Sequence, residues 1–331
     1  LTDVRLSGSV EKMRRPVTVR AFAAGVTDVG RQREHNEDSY AIDADHGLFV
    51  VADGMGGHSA GDVASRLATS TIADFFRTLS SEDVTWPSQF DRTLSDEENR
   101  LVTSIGIANR RIFEQSQSTR SLAGMGTTVV GAHFSVKRQR MYVGHVGDSR
   151  AYRVRGGKID QLTRDHSLAN EPFPELTEAE RAELPKNVIT RALGMQDNVV
   201  VDLTTDDAQP GDVYLLCSDG LSGMLTDELI LEEIAAYQSK GGEAASGAAR
   251  HLQLEELCLR LVDRANDLGG EDNITALAIL IDETDEIPSS RRPAVIIRGP
   301  DAGPPALATE PTDPGDDAKA TDSTPSPSST D

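Results

Sequence analysis

Six short runs of the chain, rich in Val, Ile, Leu, Tyr and Phe, predict strands: GLFVVAD (47–53), GTTVVGAHFSV (126–136), RMYVGHVGD (140–148), AYRVRGGKIDQLT (151–163), DVYLLCSD (212–219) and NITALAILI (273–281). The Gly156-Gly157 pair inside the fourth run predicts a hairpin. Several runs follow one another through short turns, so antiparallel pairing is expected.

Helix-period blocks interrupt the strands. Leu67, Ala68, Ile72, Phe75, Phe76 and Leu79 recur at helical spacing after Gly61. Ser95 and Glu98 form the S-x-x-E signal of a capping box, and Leu101, Val102, Ile105, Ala108, Ile112 and Phe113 then mark one helical face. Thr226 is placed to cap DELILEEIAAY, and LEELCLRLVDRANDLGG ends on the glycines that favour helix C-termini. Strands in series with helices in separate blocks predict an α+β fold in which helices cover antiparallel sheets.

Composition narrows the functions. The formal net charge of −21 disfavours nucleic acid and anionic membrane surfaces as general partners. No apolar run approaches the length that spans a bilayer. The N-terminal residues lack the apolar stretch and small-residue cleavage site of a secretory signal. Only Cys217 and Cys258 occur, each in an apolar run, which suits buried free thiols in a reducing cytoplasm. From about residue 283 onward the chain holds nine of its fifteen prolines and no aromatic residue, so this part is expected to be a disordered acidic tail. The expected organisation is an N-terminal extension (1–23), a catalytic domain (24–282) and the tail (283–331).

Four aspartates sit at the ends of predicted strands: Asp53 in VVADG, Asp148 in HVGDS, Asp219 in LLCSDG and Asp272 just before NITALAI. A single Asp-Gly pair ordinarily does no more than close a turn. A turn does not need the glycines of DGMGGH, however, and glycine lets a backbone carbonyl approach a ligand closely. Carboxylates gathered at sheet ends repel one another unless a cation sits among them, and Mg²⁺ or Mn²⁺ prefers such oxygen ligands. Two such ions about 3.5–4 Å apart polarise a bridging water and neutralise phosphoryl oxygens, which predicts hydrolysis of a phosphate ester.

REHNEDSY, VADGMGGHSAGDVAS, GMGTTVVGAHF, VGHVGDSRAYRVRGGKIDQLTRDHSL, NVITRALG, LLCSDGL and GGEDNITALAI together resemble, in order, the motif series of the metal-dependent type 2C protein phosphatases, bacterial branch. The resemblance covers residues 24 to 282. It implies a four-layer αββα sandwich, two antiparallel sheets flanked by helices, with a binuclear Mn²⁺ or Mg²⁺ centre at one end. By that resemblance Asp53 bridges the two metals, the Gly54 carbonyl binds one, Asp219 and Asp272 complete the protein ligands, and Glu37 and Asp38 hold metal-bound waters. Asp148, with Asp219 again, matches a third metal site.

Arg33 matches the phosphate-binding arginine, a role to which the guanidinium fork is suited. His58 stands where the bacterial members have a histidine: it is a candidate acid for the leaving alkoxide, or else it holds a water beside the metals. The animal members carry their acid directly after Asp-Gly, where this chain has Met55. Ser149 and Cys217 lack the loops of covalent catalysis, and His145 reads as a core histidine. Thr163 to Val188 falls where the family has a mobile flap; Thr177 and Glu180 signal a short helix there, Lys186 supplies the basic residue that precedes NVITRALG, and Asn187 is the positional match for the flap's contribution to the third metal.

The expected function is a protein phosphatase acting on phosphoserine and phosphothreonine in phosphorylated proteins, monomeric and opposed by bacterial Ser/Thr kinases. The alternative is a catalytically silent phosphoprotein-binding module on the same scaffold, whose mark would be a lost ligand; Asp53, Asp219 and Asp272 are all present. Removing the chain from about residue 285 onward is expected to leave hydrolysis of a small phosphate ester unchanged, as a steady-state assay of the truncated protein would show.

Overall fold

The computed structural model describes residues 18–56, 60–79, 90–171, 177, 180, 184–185, 188–240, 247–284 and 296–298. The chain divides into two units, Leu1–Pro300 and Asp301–Asp331, and every described residue lies in the first.

Twelve strands and five α-helices are described. The strands are β1 (Thr18–Asp28), β2 (Asp38–Asp43), β3 (Leu48–Met55), β4 (Gly126–Thr127), β5 (Val129–Ser135), β6 (Arg140–Val146), β7 (Arg150–Arg155), β8 (Lys158–Gln161), β9 (Asp202–Asp207), β10 (Val213–Cys217), β11 (Ile274–Thr284) and β12 (Ile296–Arg298). The helices are α1 (Ala60–Leu79), α2 (Asp96–Ser118), α3 (Asp219–Ser222), α4 (Asp227–Lys240) and α5 (Gly247–Asp267). One sheet runs β12-β1-β11-β10-β7-β8 and the other β2-β3-β5-β6-β9, with β4 paired to β3. All pairings are antiparallel except β1 with β12.

The two-residue period of strands sorts the core into three layers. Along β3, Phe49 and Val51 face the other sheet, where they join Tyr214, Leu216, Leu277 and Ile279. Leu48, Val50 and Ala52 face the opposite way, onto Ala64, Ala68 and Ile72 of α1 and Leu101 and Ile105 of α2. Along β10, Val213, Leu215 and Cys217 meet Ile230 and Ile234 of α4 and Leu257 and Leu261 of α5. Central strands buried on both faces have no polar side to show, which is why they read as continuous apolar runs.

The capping box of Ser95 and Glu98 is formed in both directions at the start of α2. Thr177 and Glu180 make the same reciprocal bonds, 2.8 and 3.3 Å. Most other residues of that short predicted helix lie outside the described ones.

Three strands escape the apolar pattern. β2 is the short start of the second sheet, and β9 is the polar edge strand DLTTDD. β9 is held by its pairing with β6 and by side-chain bonds that cross to the other sheet: Arg153 Nη1 and the Tyr214 hydroxyl donate to the two Asp206 oxygens at 2.5 and 2.6 Å. β1 begins at Thr18, before the expected boundary at residue 24, because it pairs with β11 along its whole length. β12 lies within the stretch expected to be tail, pairing in parallel with the edge of β1. Among the described residues no helix is long and apolar enough to cross a membrane.

Phe49 is fully buried between the sheets. Phe49→Ala is expected to lower unfolding free energy by about 3–5 kcal/mol in urea denaturation.

Candidate metal centre

β2 and β3 pair so that Asp38 lies directly opposite Asp53. The Asp53 backbone is pinned on both sides: its N–H donates to Thr128 Oγ1 at 3.1 Å, and its carbonyl accepts the Thr128 N–H and the Thr127 hydroxyl, each at 2.8 Å. The Gly54 N–H donates to the Glu37 carbonyl at 3.2 Å, which ties the end of β3 to the entry of β2. A Cβ on Gly54 would sit 2.2 Å from the Gly61 carbonyl oxygen and 2.6 Å from that of Glu37. Only glycine allows β3, the start of α1 and the Glu37 loop to meet here.

Asp219 opens α3 immediately after β10, and Asp272 lies just before β11. The Asn273 side chain joins these loops. Its Oδ1 accepts the Glu37 N–H at 2.8 Å, and its Nδ2 donates to the Val29 and His35 carbonyls at 2.9 Å each. Arg33 Nη2 donates to Asp272 Oδ2 at 2.7 Å, and half of the Arg33 side chain stays exposed. Asp38 is buried, and its Oδ2 accepts the hydroxyls of Ser218 at 2.7 Å and Thr275 at 2.6 Å.

The structure thus gathers Glu37, Asp38, Asp53, Gly54, Asp219, Asp272 and Arg33 from five loops and strand ends. Asp148 sits in the β6–β7 turn, near enough to Asp219 to feel its charge. His58, Lys186 and Asn187 lie outside the described residues. Ser218, Thr275, Thr128 and Asn273 were not singled out in the sequence, although Asn273 directly follows Asp272. Their partners are remote along the chain, so no local pattern could have marked them.

The electrostatics carry the signature of crowded acids. Burial pushes the Asp38 carboxyl up to about 7, and the charges of Asp219 and Asp272 add to it against the pull of the Thr275 and Ser218 hydroxyls. Burial raises Asp53 well above the ordinary carboxylate range, followed by Asp38, Asp219 and Asp272. Asp53 and Asp219 lie close enough for each carboxyl to perturb the titration of the other. Asp219 is itself raised by burial and then by Asp272. Burial also raises Glu37, and burial with Asp219 and Asp165 raises Asp148 to about 7.

A hard cation fits this arrangement. Oδ1 of Asp38, Oδ1 of Asp148 and Oδ1 of Asp219 are each buried without a hydrogen-bond partner. Buried acceptors are normally satisfied, and oxygen donors of this kind are the ones that Mg²⁺ and Mn²⁺ take.

The comparisons agree in kind. A sequence model of the family protein phosphatase 2C matches residues 29–256. The chain is 36% identical over 269 residues to the serine/threonine phosphatase stp of Listeria monocytogenes, covering 78% of this chain and 95% of that one. It is 33% identical over 266 residues to the protein phosphatase PhpP of Streptococcus pneumoniae, covering 78% and 97%. The serine/threonine phosphatase PstP/Ppp of Mycobacterium tuberculosis superposes with a TM-score of 0.62 at 32% identity, covering 80% of this chain and 99% of that one. The catalytic domain of PstP in complex with two manganese ions superposes with a TM-score of 0.63 at 31% identity, covering 80% and 100%.

The raised carboxyls set a pH dependence. For Asp38 and Asp148 the folded value of about 7 exceeds the ordinary 3.8, so their protonated forms stabilise the fold fully below 3.8 and that contribution is lost as pH rises through about 7. Above that pH the carboxylates repel and bind a cation without proton competition. The gain in Tm from a fixed Mn²⁺ concentration is expected to be larger at pH 8 than at pH 6 in scanning calorimetry; equal gains would show that these groups do not meet the ion.

Proposed function

The chain belongs to the protein phosphatase 2C family, and from that premise we propose that it hydrolyses phosphoserine and phosphothreonine in phosphorylated proteins at the carboxylate cluster. It is a metal-dependent protein serine/threonine phosphatase. The observation that carries the assignment of the site is the set of buried carboxylate oxygens with no hydrogen-bond partner, Oδ1 of Asp38, of Asp148 and of Asp219, beside Asp53.

In this reading Asp53, the Gly54 carbonyl, Asp219 and Asp272 would hold two Mn²⁺ or Mg²⁺ ions, Asp53 serving both, and Glu37 and Asp38 would hold their waters. Such ions lower the pKa of a shared water and neutralise phosphoryl oxygens. Asp148 and Asp219 would hold a third ion, a role supported by the buried, unpartnered Oδ1 atom on each.

The protein's own residues do the rest. Arg33, steadied by its bond to Asp272, keeps guanidinium N–H groups exposed to clamp two oxygens of the phosphate. The Ser218 and Thr275 hydroxyls fix Asp38 through one oxygen and leave the other for a water. Thr127 and Thr128 hold the Asp53 backbone rigidly, so the bridging carboxylate does not have to be ordered when the site fills. His58, which lies outside the described residues, is the candidate acid for the leaving oxygen, the other reading being that it holds a water beside the metals.

The opposing enzymes are bacterial Ser/Thr kinases. The buried free thiols Cys217 and Cys258 support a reducing, cytoplasmic setting. Helices cover the outer faces of both sheets, which supports a monomer.

A purified sample should release phosphate from a phosphothreonine peptide with Mn²⁺ and stop with chelator. Asp272→Ala should reduce turnover at least about 100-fold with an unchanged circular dichroism spectrum. Wild-type protein that binds Mn²⁺ and turns nothing over would instead favour the silent phosphoprotein-binding module.

A further inference from the structure

Outside the carboxylate cluster, His145 of β6, His166 of the loop after β8 and Asp202 at the start of β9 bring potential ligating atoms within 4.8 Å of one another. Both imidazoles are buried, and their rings stack at 4.6 Å with an angle of 13°. The hydrogen bonds speak against a metal here. The Gly147 N–H donates to His166 Nδ1 at 3.0 Å, so the ring proton of neutral His166 sits on Nε2, which lies 3.2 Å from Asp202 Oδ2. His145 Nε2 lies 2.9 Å from the Arg164 carbonyl, an acceptor only, and so also carries a proton. Neither Nε2 has a lone pair free for an ion. Burial, with His145 and Arg191 beside it, lowers the His166 pKa against the pull of Asp202 and keeps the ring neutral.

The same bonds define a clamp. His166 holds Gly147 at both polar groups: its ring accepts the Gly147 N–H, and its own N–H donates to the Gly147 carbonyl at 2.9 Å. Gly147 has φ +107°, a conformation that favours glycine, and a Cβ there would lie 2.6 Å from Thr128 Cβ. Asp148 follows directly. On its other side, His166 accepts the Thr190 N–H at its carbonyl at 2.8 Å, and its neighbour Ser167 bridges to Ile189, so the clamp also closes the base of the 167–189 segment. Asp202 is held in turn by Arg191, whose Nη1 donates to Asp202 Oδ1 at 2.6 Å.

We propose that His166 is a positioning residue, its tautomer set by the Gly147 N–H that its Nδ1 accepts, that fixes the Gly147–Asp148 turn and couples it to the base of the 167–189 segment. Its consequence for metal affinity rests on the assignment of an ion to Asp148 above; the clamp itself does not.

The two nitrogens can be separated by substitution. Asparagine places an amide where Nδ1 stands and can still accept from Gly147, whereas glutamine reaches the place of Nε2 and leaves the Gly147 N–H without its acceptor. In His166→Gln, exchange of the Gly147 amide hydrogen, followed by NMR without metal, is expected to accelerate at least about tenfold while Tm changes little, and His166→Asn should stay near wild type. Mn²⁺ affinity by calorimetry should weaken about 10-fold or more in His166→Gln. The double variant His166→Gln/Asp148→Ala should bind no more weakly than Asp148→Ala alone. Unchanged Gly147 exchange in His166→Gln would overturn the clamp, and so would equal damage from Asn and Gln, the pattern of a metal-ligating histidine. Losses of affinity that add in the double variant would overturn the route through Asp148. A wild type without metal-dependent turnover, but with exchange that follows the substitution, would reject the phosphatase site and leave the clamp standing.

Discussion

Carboxyl groups crowded at one end of the sandwich repel one another, and the surrounding structure is arranged to withstand that repulsion. Burial and the charges of Asp38, Asp219 and Asp272 raise the Asp53 carboxyl, and burial with the charges of Asp219 and Asp272 raises that of Asp38. Without a compensating cation this arrangement can persist only if the backbones that deliver the acids are held by other means. They are held by paired strands, by a hydroxyl pair on Asp38 and by the two threonines that grip Asp53. The three apolar layers supply the stiffness behind them, since displacing a strand end by even a fraction of its length would disturb two cores at once.

That rigidity has a functional sense. Ligands fixed before an ion arrives lose little freedom on binding, and an open oxygen on each of Asp38, Asp148 and Asp219 leaves room for waters as well as protein atoms. Arg33 stands apart in this respect. It is half exposed and tied through Nη2 to Asp272, an ion pair that at such exposure contributes little to stability and is suited instead to meeting an incoming phosphate. The His166 clamp extends the same logic to the outer turn: Asp148, too, hangs from a backbone gripped at both polar groups of its neighbour.

Much of the layering was legible from the chain. The six apolar runs coincide with β3, β5, β6, β7 with β8, β10 and β11, and Ser95 with Glu98 marks the start of α2. β2 and β9 were not, because an edge strand shows a polar face and is stabilised by pairing rather than by its own burial. β1 reads weakly because small residues such as Ala21, Ala23 and Ala24 replace the large β-formers.

The sequence by itself determined the chemical inventory: aspartates at the ends of apolar runs, glycines after them, and an arginine shortly before Glu37 and Asp38. These are local features, set by the two-residue period of strands and the demands of turns. Tertiary structure alone decided which acids meet. Asp38 faces Asp53 only through the β2–β3 register, and its hydroxyl partners Ser218 and Thr275 come from 180 and 237 residues away. Local pattern fixes which face a side chain takes, but convergence depends on strand pairing and loop closure over the whole chain, and those distances are not written in any single stretch of it.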